Sequence, residues 1–389
     1  MYMTRTLAQL RKFPELVSLH PEGPNSGYLV IQDEESETYF CFGLYKHETL
    51  RELPFPQNKE LTVNYSNGSC EPVDFYGHPL FLIPVPNLPL SCNRYYAIVP
   101  HGQRTLLAYT CSKEKNMGKL CFFRYIRDVG ARPLDPQNIY QQFEIVPNEL
   151  LCRSPCAYFK VNSVASDGFP PCFFRQEEWV MLTKIVHHFT LGSAQGLDCE
   201  LRARLPHLSL SESGRVVIGK WYCPFIFVKE AGRLRDQVER SMYYEMNLEQ
   251  RWEPIFSCPN NGGNSVAATD VLFEKEEVFV NGNKGVMNER NAIDGVVWFT
   301  SSSNLREGGM SFGLRVEILE RMKWEQERGG WIGGEEEKIK IMEEQKECGK
   351  WRSLICYVLV ERFKLKRMDG SLAMEYDFKH FHQIKTVWE

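Results

Sequence analysis

Between Gly27 and Ile126 the chain runs through GYLVIQDE, TYFCFGLY, ELTVNY, FLIPV, RYYAIV and KLCFFRYI, short β-branched and aromatic runs parted by Gly, Pro, Asn and Asp. Runs of this length cannot make the helices of a bundle, and their regular spacing suits antiparallel strands joined by turns. They predict an N-terminal β-rich unit over residues 1–145, with sandwich- or barrel-like sheets. Within it, FLIPVPNLPLSC carries Pro84, Pro86 and Pro89. Each proline removes a ladder donor, so this piece reads as an edge strand or a connection. In LDPQNIYQQFEI, Asp135 suits a helix cap and Pro136 the first helical position, which predicts a short helix.

From 146 to 210 turn formers dominate, as in PNELLCRSPC, ASDGFPPC and ARLPHLSL, and the expectation is an irregular connection. A C-terminal α+β unit over 211–389 follows. It resumes with the strand-like RVVIGKWYCPFIFVKE, then changes period: Leu234, Val238, Met242 and Met246 recur at every fourth position. That stripe predicts a helical segment near 233–257, with Asn247 and Gln250 spaced as a capping box. Beyond it, DVLFEKEEVFV, GVVWF and FGLRVEILERMKW read as strands. The acidic GGEEEKIKIMEEQKECG, with Ile339 and Ile341 alternating with lysines, reads as a solvated edge strand or helix face. The whole is mainly β with a minor α part.

Composition excludes several classes. A net charge of −4 over 389 residues leaves no electrostatic footprint for nucleic acid. No apolar run approaches the roughly 20 residues of a membrane-spanning helix. Thirteen cysteines are odd in number and irregularly spaced, and no secretion signal is read ahead of them. They predict reduced thiols and a cytoplasmic or nuclear protein. Gly214 to Lys220 matches a phosphate-binding loop in spacing, but Trp221 stands where a hydroxyl must reach magnesium and the intervening residues favour a strand. Cys152, Cys156 and Cys172 lack the second pair that structural zinc needs, and His187 and His188 fall on opposite faces of a strand. No nucleophile elbow is present. No catalytic residue is singled out, and no cofactor is expected.

The sharpest local pattern is LVERFKLKRMDGSLAMEYDFKHFHQI. Asp369-Gly370 suits the centre of a two-residue hairpin turn. Pairing outward from it sets Leu365 opposite Met374 and Phe363 opposite Tyr376 on one face. The other face gains Lys364 opposite Glu375 and Arg362 opposite Asp377. This register predicts that exchanging the charges of Lys364 and Glu375 leaves stability nearly unchanged. Glu361, His380 and His382 fall on the apolar face. Two imidazoles and a carboxylate are the ligand types of an open metal site, and the three residues are the candidate metal ligands. The competing expectation is that the histidines end an apolar face, each with one hydrogen bond.

PEGPNSGYLVIQDEE, LPFPQNKELTVNY, IYQQFEI, GKWYCPFIFVKE, SMYYEMNLEQRWEPIFSC and VLVERFKLKRMDGSLAMEYDF resemble the plant proteins grouped as domain of unknown function 1262. The resemblance implies a land-plant protein, one of several paralogues, and it carries over no catalytic residue. The expected function is that of a non-enzymatic intracellular binding or interaction protein with a protein partner, in plant stress or defence. A metal-dependent enzyme using Glu361, His380 and His382 is the alternative. A membrane-active β protein is the weaker alternative, and it would require a long Ser/Thr-rich amphipathic hairpin that the sequence does not offer.

Overall fold

A computed structural model describes residues 1–37, 39–40, 45–46, 48–66, 75–100, 107–120, 123–148, 158–176, 179–186, 189–208, 214–260, 266–288, 295–301, 311–334, 338–346 and 351–388. The chain divides into two compact units. One comprises Tyr2–Ser193 with Leu234–Glu239, and the other comprises Met1, Ala194–Arg233 and Arg240–Glu389.

The N-terminal unit is built on an antiparallel sheet of β1 (Thr49–Leu50), β2 (Lys59–Ser66), β3 (Phe75–Pro84), β4 (Arg94–Ile98), β5 (Gln142–Pro147), β6 (Phe159–Ser163) and β7 (Trp179–Ile185). Its spatial order is β6-β5-β4-β3-β2-β7-β1. Alternation places Leu61, Val63 and Tyr65 of β2 on the buried face. They join Phe55, Phe143, Phe159, Phe174 and Trp179 in an aromatic-rich core. The expected irregular connection of 146–210 is therefore corrected: β6 and β7 lie within it and complete this sheet. Their short apolar runs are flanked by turn formers that masked them. The proline-rich piece also differs from expectation, because β3 lies inside the sheet. It pairs with β2 through Leu80 and with β4 from Phe81 to Pro84, leaving Pro86 and Pro89 to the connection. The short helix expected after Asp135 is a 3₁₀ turn, Ile139–Gln141, capped by Asn138.

The C-terminal unit contains β8 (Val216–Pro224), β9 (Val228–Glu230), β10 (Tyr243–Pro259), β11 (Glu276–Val280), β12 (Asn283–Asn288), β13 (Val296–Ser301), β14 (Ser311–Arg315), β15 (Ser353–Arg367) and β16 (Leu372–Trp388). They order as β9-β14-β13-β12-β11-β16-β15-β10-β8, antiparallel throughout. Both orders are open, so among the described strands no barrel closes. The phosphate-loop lookalike is β8, a strand, with Lys220 Nζ 2.8 Å from Glu245. The acidic lysine-rich segment is also a strand, Lys338–Lys346, paired with Val266–Glu274.

Helices are few among the described residues: besides the short Leu7–Lys12 there are α1 (Cys199–Arg204), α2 (Leu234–Arg240) and α3 (Val316–Arg328). The helical segment near 233–257 is corrected to the single helix α2. From Tyr243 the chain is the long strand β10, in which Tyr244, Met246, Leu248, Gln250 and Trp252 share one face. Tyr244, Met246 and Leu248 are fully buried there. The fourfold spacing of Met242 and Met246 is also a twofold one, and burial between two neighbouring strands decided for the strand. Asn247 and Gln250 are ladder residues, not a cap. Conversely, α3 stands where VEILERMKW had suggested a strand. Ile318, Leu319, Met322 and Gln326 face its buried side at helical spacing.

Candidate functional site

The β15/β16 hairpin has the register expected from its sequence: Leu365 faces Met374, Lys364 faces Glu375, Phe363 faces Tyr376, Arg362 faces Asp377 and Glu361 faces Phe378. Its turn differs. Arg367 and Ser371 close a three-residue loop, with Gly370 alone at positive φ (83°). Asp369 instead accepts a hydrogen bond from the Ser371 amide at 2.8 Å. A bulge at Ala373 then restores the register, so the two departures cancel.

The apolar face is buried, with Phe363, Leu365, Met374, Tyr376 and Phe378 fully covered. The charged face is largely buried as well. Asp377 is 0% exposed and bridges Arg362, at 2.7 Å, and Arg251, at 2.8 Å. Burial pushes its carboxyl up, but these guanidiniums hold it below the usual carboxylate range. Glu375 meets Arg362 at 3.0 Å and Lys364 at 3.7 Å. Lys379 extends the lattice to Glu253 at 3.0 Å and to Glu277 at 3.1 Å.

Glu361, on the apolar side, is 1% exposed and opens onto a cleft of about 330 Å³. Gln250 stands beside it on β10, in register. From α1, Arg202 crosses to it. Asp198 caps that helix by accepting from the Leu201 amide at 2.8 Å. Arg202 grips Glu361 with two parallel bonds, Nε to Oε1 at 2.9 Å and Nη2 to Oε2 at 2.6 Å. Gln250 Nε2 donates to Oε1 at 2.8 Å. Glu325 of α3, 0% exposed, backs this group. Its Oε2 accepts from Arg321 at 2.6 Å, and its backbone carbonyl accepts from Arg202 at 3.0 Å.

The end of α3 forms the cleft's lip. Trp331 N–H donates to Gln326 C=O and Gly330 N–H to Glu327 C=O, with Gly330 at φ 85°. This is the paired C-terminal motif that a left-handed glycine permits. It fixes Arg328, which lies over the Trp324 ring at 4.6 Å, and Gly329, where a Cβ would strike the Arg202 guanidinium. On β16, Leu359 faces His380 but Val358 faces Ile384, so Phe381, His382 and Gln383 form a wide bulge. Gln383 lines the cleft from this bulge, and Leu197, Leu205 and Leu359 give it apolar walls.

The three candidate metal ligands are thus placed differently from one another. His380 is 0% exposed with Nε2 3.9 Å from Glu361 Oε2, and the same nitrogen donates to Gln326 Oε1 at 3.0 Å. Burial pushes its pKa down to about 4, against the pull of Glu361, leaving it neutral with Nδ1 unpaired. His382, in the bulge, is exposed, with its ring centre 5.6 Å from that of His380. The cation that faces Glu361 is Arg202. Among the described residues no group of three or more His, Cys, Asp or Glu side chains is arranged to hold a metal. Cys152, Cys156, His187 and His188 lie outside the described residues.

Arg202, Gln250, Glu325 and Arg328 were not read from the sequence as site residues, because each belongs to a segment read as a connection, a helix or a strand, and Gln250 was read only as part of a helix cap. Two signals for their elements were present. One was Asp198 ahead of CELRAR, and the other was the Gly329-Gly330 stop after an i, i+3, i+4 apolar pattern.

Two antiparallel sheet units with few helices define a mainly β protein, and among the described residues no helix is long and apolar enough to cross a membrane. Residues 22–122, in the N-terminal unit, match the model of the family described as Protein of unknown function (DUF1262). That match supports the resemblance seen in PEGPNSGYLVIQDEE and LPFPQNKELTVNY. No curated protein matches the chain. The crystal structure of Cry35Ab1 is similar over 86% of this chain and 90% of that chain, at 12% identity and a TM-score of 0.48. A likeness of that degree says nothing of function.

Proposed function

We propose that the protein is a non-enzymatic binding protein and that the cleft of the C-terminal unit is where it binds. The observation that supports this reading is the state of Glu361. General acid–base work needs a carboxyl free to reach a substrate proton. Both oxygens of Glu361 are instead held by Arg202 and Gln250 in a buried, hydrogen-bonded pair. Such a group builds a rigid floor, and apolar walls with a few convergent polar groups are the make-up of a ligand site. The proposal includes cytoplasmic or nuclear residence and a role in plant stress or defence, both resting on the sequence and its family resemblance.

A thermal-shift screen with a library of small polar molecules tests the reading. Ligands that stabilise the protein are expected to lose their effect in Ala203→Trp, which fills the cleft from an exposed position. Turnover of a substrate that disappears in Glu361→Gln would overturn it. Stoichiometric metal, lost when His380 and His382 are both replaced, would put the metal-dependent enzyme in its place.

A further inference from the structure

We propose that the cleft takes a small hydroxylated carboxylate, one ligand hydroxyl donating to Gln250 Oε1 and the carboxylate set against Arg328. This rests on the binding reading above and adds the chemical class. Gln250 is 1% exposed and lines the cleft. Its Nε2 donates to Glu361 Oε1 at 2.8 Å and to the Arg202 carbonyl at 3.3 Å, so its amide can point only one way. Oε1 is left buried without a hydrogen-bond partner. A buried acceptor without a donor is unfavourable, and an O–H group relieves it where another acceptor would not. The ligand therefore presents a hydroxyl at the floor.

The lip sets the other requirement. Arg202 is committed in bidentate fashion to Glu361, and Arg328 is the second guanidinium in the lining of the cleft. Its side chain is 34% exposed and lies 3.6 Å from Glu325 Oε1. Stacking on Trp324 and the glycine motif behind it hold the planar fork in place, and a guanidinium has five N–H donors in a geometry that fits a carboxylate. Arg202, Arg321 and Arg328 outnumber Glu325 and Glu361 by one charge, so a single negative charge balances the cluster where a dianion would overshoot it. Among the described lining residues the carboxylate is Glu361, and Arg202 already neutralises it. The volume, about 330 Å³, is near the lower end of the roughly 300–1,000 Å³ of small-molecule sites, the scale of a sugar acid or a short hydroxy acid.

The test uses full-length protein and five probes: glucuronate, gluconate and malate against the neutral glucose and glucitol. Binding is measured by saturation-transfer NMR and thermal shift. Occupancy of the cleft is read independently by the rate at which iodoacetamide alkylates Cys199, an exposed lining residue, followed by peptide mass spectrometry. At least one hydroxy acid is expected to bind tenfold or more tightly than the neutral polyols and to slow alkylation. Arg328→Gln, at a part-exposed position, is expected to erase that preference while leaving the circular dichroism spectrum unchanged. Equal binding of acids and neutral polyols overturns the carboxylate assignment and leaves the binding reading standing. If library ligands bind in an Ala203→Trp-sensitive manner and none of the five probes does, the class assignment falls alone. If neither set binds, both fall.

Discussion

At Gly329 a side chain would occupy the space of the Arg202 guanidinium, so the buried Arg202–Glu361 pair exists only because that position lacks a Cβ. Gly329→Ala is expected to push Arg202 aside and leave Glu361 buried without its cation, a loss of about 2–3 kcal/mol by urea denaturation. Gly214→Ala, where a Cβ meets nothing within 4 Å, serves as the neutral control. His380 makes a second residue-level prediction. Its folded pKa, about 4, is below the ordinary 6.5 because burial disfavours the imidazolium. The unfolded chain therefore binds more protons between those values. The contribution of His380 to stability is complete above pH 6.5 and is lost as pH falls towards 4, by about 3 kcal/mol at most. Denaturation midpoints from pH 4 to 7.5 should follow that slope, and His380→Gln should flatten it. An unchanged slope in the variant would assign the effect to other groups.

The β15/β16 hairpin carries the predictions that belong to an element. Its register was readable because a one-residue slip would break both the Lys364–Glu375 and Arg362–Asp377 charge pairs and the Phe363–Tyr376 and Leu365–Met374 apolar pairs. The energetic expectation attached to that register needs correction. Lys364 also lies 3.9 Å from Glu249, and Glu375 also meets Arg362 at 3.0 Å. Exchanging Lys364 and Glu375 restores one contact and creates two like-charge encounters. The double variant should therefore be less stable than wild type by about 1–2 kcal/mol, while a double-mutant cycle still shows a favourable coupling between the two sites. Coupling indistinguishable from zero would mean they are not neighbours. Gly370→Val should be destabilising by about 1–2 kcal/mol because φ is 83° there. Asp369, whose φ is not positive, should tolerate alanine with the loss of one turn hydrogen bond.

Across the whole molecule, protection should follow the ladders. In the C-terminal unit, β10 from Tyr243 to Gln250, β15 from Leu359 to Leu365, and β16 from Met374 to Phe378 are paired on both sides and largely buried. In the N-terminal unit, β2 and β7 border the aromatic core. Amide hydrogen exchange measured by mass spectrometry should find these segments slowest within their own units. The bulge at Phe381–Gln383 should exchange early. Protection of the bulge equal to that of Tyr376–His380 would count against the break in pairing.

The sequence by itself determined what depends on neighbours along the chain. Strand period and turn chemistry are local, and they were enough to read a mainly β protein, the strand nature of Val216–Lys220, and the pairing of Glu361 with Phe378. What sequence could not decide were the contests between periods. At Met242 and Met246 fourfold and twofold spacing coincide, and pairing of β10 with β8 and β15 settled the matter; in α3 the reverse happened. The cleft is less legible still, because Arg202, Gln250, Arg328 and Glu361 come from four separated segments. Their chemistry arises only when the fold brings an arginine from α1 against a buried glutamate on β15. The same tertiary burial made His380 neutral, while a three-residue bulge turned His382 out to solvent, although the two imidazoles are one residue apart.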